Sequence, residues 1–316
     1  MVGMELRLPD PRTKIRADMD ALVGAHDEPE IYATPLGDPG LIGPGSMSWE
    51  LHSDMGVVAA AGIGAIIMEI LHPAVMAGVS TQSTFRTQPE RRMRTTFGYV
   101  VATTFGSTDA ATALIGRVRR MHERVNGTMP DGRPYRAMDP ELIAWVHNAI
   151  PWAIMNAYDT YHRPLTTAEK DRYLKEQSVI GRMSGANDVP ESVAELDEFV
   201  EAMRPKLAVN EQTVEFLDFV AGPREGKYAA NDLERFQRRL AMKASMALLP
   251  EWSQKLTSLE HSELGRRLWF DPTTRLNVRL LRWAYGVPAC RRLAEARAAG
   301  VSTPVDGATD EAVSAA

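Results

Sequence analysis

Between Met55 and Leu71 lie seventeen residues, MGVVAAAGIGAIIMEIL, whose single charged side chain is Glu69. Wound as a helix, this run is apolar on every side and needs burial on every side. It falls just short of the ~20 residues that a helix uses to cross a bilayer, so it suits the centre of a helical protein better than a membrane span. A chain with such a helix must wrap other helices around it.

The flanking sequence supplies them. Pro89 to Phe105 reads as a helix that Gly106 punctuates, and Ser107 or Thr108 then caps a helix reaching Asn126, with Gly127 as a left-handed stop. Asp139-Pro140-Glu141 pairs an N-cap with Pro at the first helical position, opening a helix toward Tyr158 that Pro151 should kink. Thr166 with Glu169, and Ser192 with Glu195, have capping-box spacing. Further helices are expected at Asn231 to Leu249 and from His261 onward, interrupted at Asp271-Pro272 and at Pro288. No alternating strand pattern bounded by turn residues stands out. The expected fold class is all-α, a single multi-helix domain around the central apolar helix.

Residues 1–48 alternate charge with Pro and Gly and read as an extended arm with a short helix near Arg12 to Val23. Residues 49–297 form the expected all-helical catalytic domain, and 298–316 a small, polar, flexible tail. With 44% hydrophobic and 24% charged residues, the chain has the means to build a large core, which excludes a disordered regulator. The net charge of -5, with no long basic stripe to offset it, argues against nucleic acid and against an anionic membrane as partner. The first twenty residues carry no apolar stretch of a secretory signal, so the cytoplasm is the expected address. A lone Cys290 rules out an internal disulfide, an all-Cys zinc site, an iron–sulfur cluster and a CxxCH haem attachment.

There is no Walker A sequence, GxGxxG, GxSxG or HExxH. Gly62-Ile63-Gly64 reads as a close-packing site rather than a phosphate cradle. Histidines on apolar faces remain. His122 shares a stripe with Leu114, Ile115, Val118 and Val125, opposite Arg117, Arg120, Glu123 and Arg124. It is either a half-buried histidine bonded to a backbone carbonyl or a neutral imidazole offering a nitrogen to a metal in a dry pocket. His147, beside Ile143, Ile150 and Ile154, poses the same choice. His52 follows Trp49 at the entry to the apolar helix, and His72 closes it. Glu69 and His72 form one copy of the Glu-x-x-His arrangement that di-iron bundles use in duplicate. His26, His162 and His261 lie in polar segments without an assigned role. In Glu90-Arg91-Arg92-Met93-Arg94-Thr95-Thr96, the residues Arg91, Arg94 and Thr95 share a helical face while Arg92 is expected to point elsewhere. These arginines are either a solvated turn or the partners of an anion.

Several segments together resemble the rubber oxygenases, or latex-clearing proteins, and their MpaB-type relatives that shorten the mycophenolic acid side chain. They are PGSMSWELHSD (44–54), LHPAVMAGVSTQSTF (71–85), RRMRTTFGYVVATTFG (91–106), VRRMHERVNGTMPDGRPYRAMDPELIAWVH (118–147) and RPLTTAEKDRYL (163–174). The resemblance implies a pocket between helices for non-covalent b-type haem (heme b), with His122 as the proximal ligand of its iron. It sets the family's distal Arg-x-x-Lys-Thr pattern on Arg91, Arg94 and Thr95. Arg94 replaces the family's lysine, and the family's catalytic glutamate has no match, Glu69 and His72 being nearest. The expectation is therefore a haem-dependent oxygenase or oxidoreductase acting on an apolar or unsaturated small molecule with dioxygen or peroxide. Arg91, Arg94, Thr95 and His72 are its candidate catalytic residues; His122, Arg91, His147 and His52 are candidates for holding the cofactor. A homo-oligomer is compatible with the sequence. The rivals are a non-haem metal enzyme built from His52, Glu69, His72 and His147, and a haem or apolar-ligand carrier without turnover.

Overall fold

Asp54 starts the central helix by accepting a hydrogen bond from the Val57 backbone N–H at 3.1 Å, which satisfies one of the helix's open donors. The computed structural model describes residues 28–82, 85–221, 245–260 and 262–303, with 10, 12, 13 and 15–17 of the N-terminal arm. After two short helices, α1 (Glu30–Ala33) and α2 (Met47–Ser53), the apolar run forms α3 (Met55–Ile70), and Val57, Ala61, Ile67 and Met68 are almost fully buried. Close approach of its neighbours depends on its glycines. A Cβ on Gly56 would meet the Val278 backbone oxygen at 2.8 Å, and one on Gly62 would meet the Phe97 ring at 2.8 Å. The Gly-Ile-Gly stretch is a close-packing site, as its position inside an apolar helix suggested.

Around α3 come α4 (Pro73–Gln82), then the antiparallel pair α5 (Pro89–Phe105) and α6 (Thr108–His122), then α7 (Pro140–Tyr161), α8 (Thr167–Ser184), α9 (Val193–Met203), α10 (Glu211–Ala221) and α11 (Glu251–Thr257). A π-helical turn, Arg266–Phe270, leads into α12 (Asp271–Tyr285), and α13 (Ala289–Ala298) follows Pro288. The dominant pairing is α3 with α7. Trp145 of α7 fastens it by donating its indole N–H to the Met68 and Glu69 carbonyls, each at 3.1 Å, which closes the open C-terminal end of α3. The fold is all-α apart, among the described residues, from one small hairpin.

That hairpin corrects the sequence reading. Strands β1 (Asn126–Thr128) and β2 (Pro134–Arg136) pair antiparallel, with Gly127 opposite Tyr135. Three-residue strands are too short to show alternation, and α6 ends at His122 rather than Asn126, so Gly127 is a strand residue and not a helix stop. A Cβ there would lie 3.0 Å from the Tyr135 ring, so packing explains the glycine. Asp271-Pro272 also begins α12 rather than interrupting a helix, Pro taking the first turn where its missing N–H costs nothing. Helix α7 runs unbroken through Pro151. Of the helix expected over Asn231 to Leu249 only residues 245–248 are described as helical. Residues 231–244, His26, His261 and much of the Arg12 to Val23 helix lie outside the described residues.

Candidate functional site

Three ionisable side chains from three helices act on one another electrostatically, one at the C-terminal end of α3, one in the first turn of α5 and one at the last residue of α6. They are Glu69, Arg92 and His122. Burial pushes the Glu69 carboxyl up to about 7, and the positive charge of Arg92 pulls it back in part. Arg92 is lowered by its own burial and raised by Glu69. Burial lowers His122 first, and Arg92 lowers it further. The ring is therefore neutral at neutral pH, and no side-chain hydrogen bond reaches it among the described residues. It sits at the helix C-terminus, where a protonated ring would be favoured, so burial and Arg92 outweigh the helix dipole.

The sequence pattern predicts Arg91, Arg94 and Thr95 on the site's face and Arg92 pointing elsewhere; in the structure Arg92 is the more buried arginine and the one whose charge acts on Glu69 and His122. RRMRTT contains the spacing Arg-x-x-x-Thr twice, at Arg91/Thr95 and at Arg92/Thr96. In α5 the buried residues include Val100 and Thr103, and Arg92 and Thr96 continue their ridge by steps of four. The Thr96 hydroxyl donates to the Arg92 carbonyl at 3.1 Å. Arg91, Arg94 and Thr95 are exposed; Arg91 bonds the Gln88 side chain at 3.1 Å and Thr95 bonds back to the Arg91 carbonyl at 2.9 Å. They line an open groove of about 360 Å³ with Gly98, Leu114 and Arg117, and His122 is not part of that lining.

The other described histidines with a sequence-based site role lie in other surroundings. His52 is fully buried, with Nδ1 2.7 Å from the Thr104 hydroxyl and Nε2 2.8 Å from the Tyr173 hydroxyl. Burial drops it to about 3, so it is a neutral core histidine with no nitrogen to spare. His147 is lowered by burial to about 4, with the Gln177 backbone opposing; its Nε2 has no partner and abuts Gly181, where a Cβ would lie 2.8 Å away. It serves the contact between α7 and α8. His72 accepts the Ala74 N–H on Nδ1 at 3.2 Å. The charges acting on it are Glu141, Lys206, Asp139 and Arg133, not the arginines of α5. The set His52, Glu69, His72 and His147 is thus not brought together. Among the described residues no group of three or more His, Cys, Asp or Glu could hold a metal ion.

Against this geometry stands one match. Residues 49–283 match the catalytic domain described as ER-bound oxygenase mpaB/B′/rubber oxygenase. The chain belongs to this family. No curated protein matches the chain, and no solved structure does. Membership makes the helical domain an oxygenase-type catalytic domain, and the match takes in α3 to α11 and nearly all of α12, so Glu69, Arg92 and His122 all lie inside it. Among the described residues no single helix of this mpaB/rubber-oxygenase domain is long and apolar enough to cross a membrane.

Proposed function

We propose that this chain is a haem b-dependent oxygenase or oxidoreductase acting on an apolar or unsaturated small molecule, with dioxygen or peroxide as co-substrate and His122 as the iron ligand. One observation carries the reading: a half-buried imidazole, kept neutral by burial and by Arg92, has no hydrogen-bond partner among the described residues. A neutral ring nitrogen is what haem iron takes from a protein, and haem can be held by that one ligand where a non-haem site needs several. A lone neutral imidazole at His122 is the kind of donor that a b-type haem would take.

When bound, haem supplies the redox-active iron that dioxygen chemistry on an apolar substrate requires. The chain's own residues do the rest. Arg92 would contribute a largely desolvated cation to the site, and in such surroundings a fixed charge that stabilises developing negative charge is worth on the order of 3 kcal/mol. Glu69 holds a proton on its carboxyl oxygen near neutral pH and can release it, which suits a group that moves protons during turnover. Trp145, bonded to the Glu69 carbonyl, fixes the end of α3 that presents this carboxyl.

The test is spectroscopic before it is kinetic. His122→Ala should keep its helical circular dichroism and lose the Soret band of the wild-type protein. Arg92→Ala should keep the haem yet shift the spectrum of the ferrous carbon monoxide complex and lose at least tenfold in turnover, while Arg91→Ala and Arg94→Ala stay near wild type. A full Soret band in His122→Ala, or a wild-type protein that takes up no haem, would overturn the assignment. Wild-type haem uptake without turnover of any apolar substrate would leave a carrier.

A further inference from the structure

Helix α12 buries the less apolar of its two faces. Inward go Asp271, Thr274, Val278, Ala284 and Tyr285. Outward stand Leu276 at 58%, Leu280 at 47% and Trp283 at 51% exposure, with Val287 at 48% just beyond the helix and Trp269 at 70% in the π-helical turn before it. Positions 276, 280, 283 and 287 follow one another by steps of four, three and four, so they form a single stripe along the helix. Trp269 and Trp283 are fourteen residues apart, about 20 Å along the helix. An exposed apolar stripe of this length is a contact surface and not scattered surface hydrophobicity.

Its charges identify what it meets. Arg275 and Arg279 run exposed along one edge of the stripe. Arg12 lies over the Trp283 ring at 4.8 Å from its centroid and donates to the Trp283 carbonyl at 3.0 Å, adding a third cation. The helix's one acid, Asp271, is buried and paired with Arg266 at 3.1 Å, so it neutralises none of them. Leucine and tryptophan on one side with arginine beside them is the composition of a helix that lies in a lipid interface.

We propose that this face docks on an anionic phospholipid surface, with Trp269, Leu276, Leu280 and Trp283 in the boundary between headgroups and acyl chains and Arg275 and Arg279 against lipid phosphates. A second copy of the chain fits less well. A two-fold contact through the stripe would crowd the arginines of two molecules together without a carboxylate between them. The chain's net charge of -5 argues against an anionic membrane when averaged, so contact is expected through a face whose exposed charges are cationic, as on this one. The inference is independent of the haem assignment.

Flotation with vesicles tests it. The full chain should float with vesicles of equal parts phosphatidylcholine and phosphatidylglycerol, bind pure phosphatidylcholine much more weakly, and be released by high salt. The exposed double variant Leu276→Asp/Leu280→Asp should fold as wild type by circular dichroism and lose at least tenfold in vesicle affinity. Arg279→Gln should weaken binding to the anionic vesicles alone. The proposal fails if the wild type does not float, or if the double variant floats equally well. It fails too if light scattering shows a dimer that this variant splits while neither protein binds vesicles, since a second copy then covers the stripe.

Discussion

Glu69 closes an otherwise apolar helix, so it must hold its proton or find a cation, and with Arg92 beside it the carboxyl is balanced near neutrality. Its pKa is raised from an ordinary 4.5 to about 7 in the folded chain. Between those two values the folded protein keeps a proton that the unfolded chain has lost, so the contribution of Glu69 to stability falls as pH rises through this window and is constant above it. Glu69→Gln removes the dependence. The variant should match wild type near pH 4.5 and exceed it above pH 7 by on the order of 3 kcal/mol, measured as the difference in urea unfolding at several pH values. A wild type that gains on the variant between pH 5 and 7 would mean that pairing with Arg92 outweighs burial. At this scale the site was partly legible. His122 stood out because an imidazole on an apolar stripe is conspicuous in one sequence. The arginine did not, because RRMRTT offers two equivalent registers and periodicity within one helix cannot say which ridge its neighbours cover. Only the packing of α5 on its neighbours shows that Arg92 is more buried than Arg91 and Arg94.

Helix starts were the most readable elements, because a cap is a local event written in three or four residues. Thr166 and Glu169 form a complete capping box, the Thr166 N–H reaching the Glu169 carboxylate at 2.8 Å. At Ser192 only half forms: its hydroxyl accepts from the Glu195 N–H at 3.2 Å, while the Glu195 carboxylate takes the Glu191 N–H instead. The β1–β2 hairpin stayed hidden because its pairing is shorter than any period. Asp54 shows an element whose local signal understates its work. Besides capping α3, its Oδ2 lies 2.6 Å from His162 Nδ1 and accepts from Arg282 Nε at 2.8 Å, joining α3 to the end of α7 and to α12. Asp54 is 4% exposed at its side chain, but His162 and Arg282 are 30% and 34% exposed, so solvent relieves part of the loss when the pairs break. Asp54→Ala should therefore cost about 2–4 kcal/mol in urea unfolding. Asn caps a helix as well as Asp does, so Asp54→Asn should recover about 1 kcal/mol of that. Equal losses in the two variants would show that the ion pairs carry the whole effect.

Across the whole molecule, one residue that no local pattern marks ties α13 to the segment around α1 and to the end of α5. Arg297 lies on α13 in RRLAEARAAG, where a cation near a helix C-terminus reads as an ordinary solvated side chain. It is instead 0% exposed. Its guanidinium donates to the Asp38 carbonyl at 2.9 Å, Ile31 at 3.3 Å, Tyr32 at 3.0 Å, Phe105 at 2.9 Å and Gly106 at 3.2 Å. These carbonyls belong to the segment around α1 and to the end of α5, so a C-terminal side chain holds the N-terminal segment against the helix that carries Arg92. Gly40 belongs to the same junction: at φ +80° it adopts a left-handed conformation, and a Cβ would lie 2.6 Å from the Gly106 oxygen. A planar fork with five donors can serve carbonyls arriving from several directions, whereas an ammonium is a single point with three. Arg297→Lys should then leave buried carbonyls unpaired and cost about 2–4 kcal/mol. Because the three segments meet at one guanidinium, amide hydrogen exchange should accelerate together in residues 31–38, in 105–107 and in α13, with α8 unchanged. Faster exchange confined to α13 would show that the N-terminal segment is held by its own contacts, such as the Ser107 N–H bond to the Ile31 carbonyl at 2.8 Å, and not through Arg297.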